Sequence, residues 1–298
     1  MLLDSWIFWS VLAAVMQSVR TAGQKYLSEA VSPLGATLVR YLFAAPFVVL
    51  YILWLLDNRT SPLPELNDTF LIAGFAAGVL QIIATVLLLR LFALRNFAVG
   101  SCYIRTEVLA TAVLGLLLFG EHVSGVGWVA MLICVIGLVM ITIAKSGRLE
   151  ELWNMSAVYG LAAGLSLSLT SLFIRQASLS FGMDDAMFTA ALTLGYMILI
   201  QTAICLVFLI FQNAGELQVI LQKWRASLFV GVTSLLGSIG WFTAFTLERA
   251  AYVKTIGQIE FLITLAISIL FFKEEPNRPE WVGMVILVVG VVVLLLVP

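Results

Sequence analysis

The chain has 298 residues, of which 62% are hydrophobic and 11% charged, with a net charge of −1. A soluble domain carries charge on about a quarter of its residues, so the composition excludes a water-soluble globular fold. With no polybasic tail and no long charged face, it also excludes nucleic acid as a partner.

The apolar excess falls into ten runs, each near the ~20 residues that cross a bilayer as a helix. They are Ser5–Gln24, Gly35–Leu56, Thr69–Leu89, Ala98–Phe119, Ser124–Ala144, Ser156–Ile174, Met187–Phe211, Ser227–Leu247, Ala251–Phe272 and Trp281–Val297. They are apolar all round, not alternating, so strands of a barrel are not expected. The first run lacks a basic leader and a small-residue cleavage site, and is read as a span and not a signal peptide. It carries a polar stripe, Gln17, Arg20 and Gln24, at i, i+3, i+7 on one helix face. The second run holds Arg40. The third has Gly74 and Gly78, and the sixth Gly160 and Gly164, each a GxxxG pair suited to close helix packing. The sixth run repeats the stripe as Ser168, Ser171 and Arg175. The eighth is kept thin by Gly231, Gly237 and Gly240 with Ser234 and Ser238, next to Trp241, a candidate cavity-lining aromatic. Connections are short, the longest being Asp57–Asp68, with Pro62 and Pro64, and Gln212–Arg225.

The fourth and ninth runs carry the chemistry. A charge at the centre of a membrane helix costs about 2.5–3.5 kcal/mol on insertion scales. Glu107 and Glu260 both lie at that depth. Tyr103, Glu107 and Thr111 are spaced to share one helix face, as are Ile256, Glu260 and Thr264. A carboxylate there can change protonation as water access changes, so both are candidate proton-coupling groups. Arg105, two residues from Glu107, points about 200° away and is expected to meet a neighbouring helix. The deep arginines Arg20, Arg40 and Arg105 suit an anionic group through their planar forks. Candidate substrate-binding residues are therefore Arg20, Arg40, Tyr103, Arg105, Trp241 and Gln258. The competing use of the arginines is to neutralise Glu107, Glu260 or Glu29.

Glu107 and Glu260 are 153 residues apart. At the same offset fall Ala98 and Ala251, Arg105 and Gln258, Thr111 and Thr264, Phe119 and Phe272, Glu121 and Glu274, Trp128 and Trp281, and Gly137 and Gly290. The chain thus reads as two five-span repeats, 1–146 and 147–298, with a seam at Lys145–Asn154. Five is odd, so the second repeat must enter the membrane from the opposite side, as in many secondary transporters, whose sites lie between the repeats. The expected fold class is an all-α integral membrane protein of ten helices in two inverted repeats around a central cavity. Basic residues are more numerous in the loops that share a side when the termini lie outside, which by the positive-inside rule puts the termini outside. Cys102, Cys134 and Cys205 lie in apolar runs and read as packing residues. His122 is the sole histidine, so no metal site is expected. There is no nucleophile–base pair, no phosphate-binding loop and no cofactor, and an enzyme is not expected.

Span four ends in Phe119-Gly120-Glu121, followed by a glycine-bearing fifth span from Gly125 to Gly137; the second repeat has Phe272-Lys273-Glu274. With the five-plus-five pattern, this resembles the drug/metabolite transporter superfamily, EamA type. The resemblance implies a bacterial inner-membrane carrier with a basket-like bundle, cytoplasmic termini and a central cavity. It implies transport of amino acids, other metabolites or drugs, often as export. The expectation is a secondary transporter of a small polar or amphipathic metabolite with an anionic group, proton-linked, working as monomer or homodimer among membrane lipids. The alternatives are a multidrug exporter of organic cations and a membrane-embedded lipid-handling protein or enzyme.

Overall fold

The computed structural model describes residues 5–27, 29–58, 63–92, 103–146, 155–263, 266 and 277–296. Cys102, Thr264, the motif Phe272-Lys273-Glu274 and most of the seam lie outside the described residues. Every regular element among the described residues is a helix. In chain order these are α1 (Trp6–Leu27), α2 (Pro33–Leu42), α3 (Ala45–Asp57), α4 (Asp68–Phe92), α5 (Glu107–Phe119), α6 (Gly125–Ser146), α7 (Met155–Leu179), α8 (Ala186–Asn213), α9 (Gly215–Gln222), α10 (Trp224–Leu247), α11 (Ala250–Gly257) and α12 (Arg278–Leu295).

Seven helical stretches among the described residues are long and apolar enough to cross a membrane: Pro33–Asp57, Asp68–Leu91, Gly125–Ala144, Met155–Leu179, Ala186–Asn213, Trp224–Leu247 and Arg278–Leu295. The sequence suggested ten continuous spans. The three others differ for physical reasons. Helix α1 carries the polar stripe of Gln17, Arg20 and Gln24. The fourth run is interrupted, leaving the 13-residue α5. The ninth is interrupted too, and its first piece is the 8-residue α11. The second run bends between α2 and α3, where Pro46 lacks an N–H and its ring opposes the carbonyl four residues back.

The chain divides into two compact units, Met1–Ile82 with Phe173–Glu248, and Ile83–Leu172 with Arg249–Pro298. These units are not the two sequence repeats; the division falls inside α4 and α7.

In the first unit α1 and α10 pack antiparallel along the thin face of α10. A Cβ on Gly240 would lie 2.7 Å from the Trp9 carbonyl oxygen, and one on Gly237 3.3 Å from Met16 Cβ. The eighth run is therefore small because a helix backbone lies against it. Helix α8 packs on α2, α3 and α10. Arg175 Nη1 donates to the carbonyls of Phe245 (2.6 Å) and Glu248 (2.7 Å), satisfying the open end of α10.

In the second unit α6 and α12 form an antiparallel pair whose contacts repeat under the 153-residue offset. A Cβ on Gly137 would lie 2.7 Å from Gly283 O and Leu287 N; one on Gly290 would lie 3.0 Å from Ala130 O and 2.8 Å from Cys134 N. Ala130 and Cys134 are the repeat partners of Gly283 and Leu287, so the two sets of contacts mirror each other. Cys134 Sγ reaches the carbonyl of its own repeat partner, Leu287, at 3.8 Å.

Because both approaches are to backbone, a single methyl must push the helices apart. Gly137→Ala and Gly290→Ala are each expected to lower the melting temperature in detergent, by a similar amount, at a cost of about 1–3 kcal/mol. An unchanged melt for either would contradict this packing.

Candidate functional site

The interruptions of the fourth and ninth runs fall at matching positions. Residues Arg105 and Thr106 form a turn before α5, and Gln258 forms one after α11. Arg105 and Gln258 are repeat partners. At both places the backbone bonds tighten to i→i+3, Thr106 N–H to Tyr103 O (3.1 Å) and Phe261 N–H to Gln258 O (3.0 Å). Tight 3₁₀ turns inside a helix often mark hinges. In a membrane, irregular backbone is tolerated only where protein or a water-lined cavity surrounds it.

Helices α5 and α11 pack together, and the interruptions meet. Lys254 Nζ lies 3.6 Å from Glu107 Oε2, and each residue is only 9% exposed. Glu107 opens α5, where the helix dipole favours an anion; Lys254 lies in the last turn of α11, where it favours a cation. The Glu107 carbonyl accepts from Thr111 Oγ1 (2.7 Å) and from Ser168 Oγ on α7 (2.9 Å), which fixes the start of α5. Arg105 Nη1 donates to Gln258 Oε1 at 3.5 Å, and its guanidinium lies 4.2 Å from the Phe261 ring centroid. Gln258 Nε2 donates to the Lys254 carbonyl at 3.2 Å. Ion pair, amide bridge and cation–π contact thus form one cluster.

The cluster joins Arg105, Glu107 and Gln258 from the sequence reading. Arg105 does meet another helix, and its partner is its own repeat mate. Tyr103 is part-buried just before the turn, its carbonyl accepting from Thr106 Oγ1 at 2.6 Å. The turn corrects one expectation: Tyr103 and Glu107 do not share the face of a continuous helix. Glu260 is part-buried, two residues past the turn at Gln258. Lys254 escaped the sequence reading. It lies four residues into the ninth run, and the cost argument applied to the arginines would have flagged it. Gly257, just before the turn, was the one local signal of the interruption.

In the first unit, Arg40 is 7% exposed and lines a small cavity of about 10 Å³ with Tyr41, Gln81, Gln201, Ser234 and Ser238. That is room for about one water. The Ser234 hydroxyl is buried there without a hydrogen-bond partner. Gln201 Nε2 donates to Gly78 O (3.1 Å) and Gln81 Oε1 (2.8 Å), joining α8 to α4. Neither glutamine was singled out in the sequence. Trp241 Nε1 donates to Gln17 Oε1 at 2.9 Å, tying α10 to the stripe of α1, and its ring stacks on Phe245. Arg20 is part-buried on the same helix as Gln17. Among the described residues no cluster of histidine, cysteine or acidic groups is arranged to hold a metal.

The model of the EamA-like transporter family matches residues 4–143 and 154–296, nearly the whole chain. The chain belongs to the EamA-like transporter family. It is accordingly a multi-pass membrane protein of a transporter family. An uncharacterized protein of Methanocaldococcus jannaschii is 33% identical over 63 residues, which are 21% of this chain and 46% of that protein, so this chain spans under half of that relative's length. A crystal structure of another protein superposes with a TM-score of 0.73 at 15% identity, covering 97% of this chain and 96% of the other. At that identity the likeness shows a shared fold alone.

Removing one partner of a buried ion pair costs about 3–5 kcal/mol, because the other charge is left uncompensated. In this EamA-like transporter Lys254→Met is expected to lower the melting temperature sharply. Adding Glu107→Gln to it should restore most of the loss. Equal melts for wild type and Lys254→Met would show that the pair does not form.

Proposed function

We propose that this transporter is a secondary carrier for a small polar or amphipathic metabolite bearing an anionic group, an amino acid or similar compound, and that its transport is proton-linked. The observation that carries the reading is the buried Glu107–Lys254 pair at the two helix interruptions. With the pair closed, the charges of Glu107 and Lys254 cancel each other. Protonation of Glu107 leaves Lys254 as a buried charge, which is costly unless another anion replaces the carboxylate. An anionic group on the substrate does so. The two stable states are then ion pair without substrate, and protonated Glu107 with substrate on Lys254. One proton accompanies each anionic group, and the direction of net flow, export included, follows the two gradients. Arg40, buried in the first unit, is a separate candidate for binding an anionic group. Glu260 stands at the matching place after the second interruption and is the companion coupling candidate.

We read the architecture as ten spans in two inverted repeats, 1–146 and 147–298, in a bacterial inner membrane. The two matched segments and the mirrored antiparallel packing of α6 on α12 support this. Multidrug export of organic cations is the weaker reading, because Lys254 already occupies Glu107 as a cation.

A thermal-shift screen of a metabolite library on purified protein, followed by uptake of each hit into proteoliposomes, tests this. Amino acids and other anionic metabolites are expected to stabilise wild type and to lose much of that effect in the Lys254→Met/Glu107→Gln double variant, which removes both charges of the pair. Stabilisation by lipophilic cations alone, unchanged in that double variant, would overturn the substrate class.

A further inference from the structure

The connection between α8 and α10 holds a second group of cations that the transport reading does not use. Tyr26, Gln222, Lys223, Trp224, Arg225 and Ala226 line an open cleft of about 300 Å³. Lys223 Nζ lies 5.2 Å from the Tyr26 ring centroid, and the Arg225 guanidinium 5.5 Å from that of Trp224. Neither cation forms an ion pair with a carboxylate among the described residues. The nearby acid of α9, Glu216, is already engaged: its Oε2 accepts from the Ser32 hydroxyl at 2.8 Å and from the Ser32 N–H at 3.3 Å.

Tyr26 is 58% and Trp224 51% exposed, and both stand at the ends of apolar helices. Large amphipathic rings in such places sit at the headgroup level of a bilayer. An arginine fork and a lysine point charge together suit a phosphate. Below Arg225, on the same face of α10, come Phe229 (49% exposed) and Leu236 (42% exposed), at i+4 and i+11. These make an apolar track leading from the cations along the helix.

We infer that this cleft binds the phosphate headgroup of an anionic phospholipid, with an acyl chain lying along Phe229 and Leu236 of α10. The cations alone would suit any phosphate; the apolar track beneath them selects a lipid. The site is independent of the transported substrate.

The test is native mass spectrometry and thermal melting of the purified chain in detergent, with phosphatidylglycerol, phosphatidylcholine or inorganic phosphate added. Wild type is expected to retain phosphatidylglycerol in preference to phosphatidylcholine and to melt higher with it. Each of Lys223→Gln and Arg225→Gln should weaken that preference about fivefold, the worth of one basic residue at an anionic surface. The double variant should bind both lipids alike, with an unchanged melt in phosphatidylcholine. If the double variant does not fold, the two single variants decide the matter by lipid retention. Equal retention of the two lipids by wild type, or an undiminished preference in the single variants, would overturn the site. A stabilisation reproduced by inorganic phosphate alone would overturn the lipid and leave a free-anion site.

Discussion

A charge inside a bilayer must find a partner or an exit to water, and this constraint organises the second unit. Glu107 and Lys254 meet that need together, each at the helix end whose dipole suits its sign. Removing either alone takes from the other its ion-pair partner. The interrupted backbone beside them is held by further polar contacts: Ser168 and Thr111 on the Glu107 carbonyl, and Arg105 on Gln258.

The same region shows why the repeat matters physically. Residues at the 153-residue offset touch each other, Arg105 with Gln258 and Cys134 with Leu287. Yet the repeat is imperfect where the charges are. The partner of Lys254 is Ser101, and the partner of Arg105 is an amide. In this frame Glu107 has a cation, Lys254, across the interruption. An uneven site in an even frame is a plain route to substrate preference.

Much of this was legible in the chain before its fold. Spacing at 153 residues gave the repeat, and the cost of buried charge gave Glu107, Arg105 and Arg40. The close helix faces at Gly137, Gly237, Gly240 and Gly290 follow from small residues in otherwise bulky spans. What escaped was backbone. Nothing around Ile104 to Thr106 breaks a helix by composition, because the 3₁₀ turn there depends on packing and not on propensity. Lys254 was legible by the same charge cost, as the fourth residue of the ninth run, but only the fold brings it to Glu107. Gln81 and Gln201 show the same limit, since their bond joins helices more than a hundred residues apart in sequence.

Proteoliposomes with an imposed pH gradient test the proposed coupling role of Glu107 most directly. Wild type should accumulate an anionic substrate against its gradient when protons run with it. Glu107→Gln, which permanently removes the carboxylate charge from the pair, should still exchange substrate across the membrane but no longer accumulate it. Accumulation by Glu107→Gln equal to wild type would contradict the account and leave the ion pair a purely structural one.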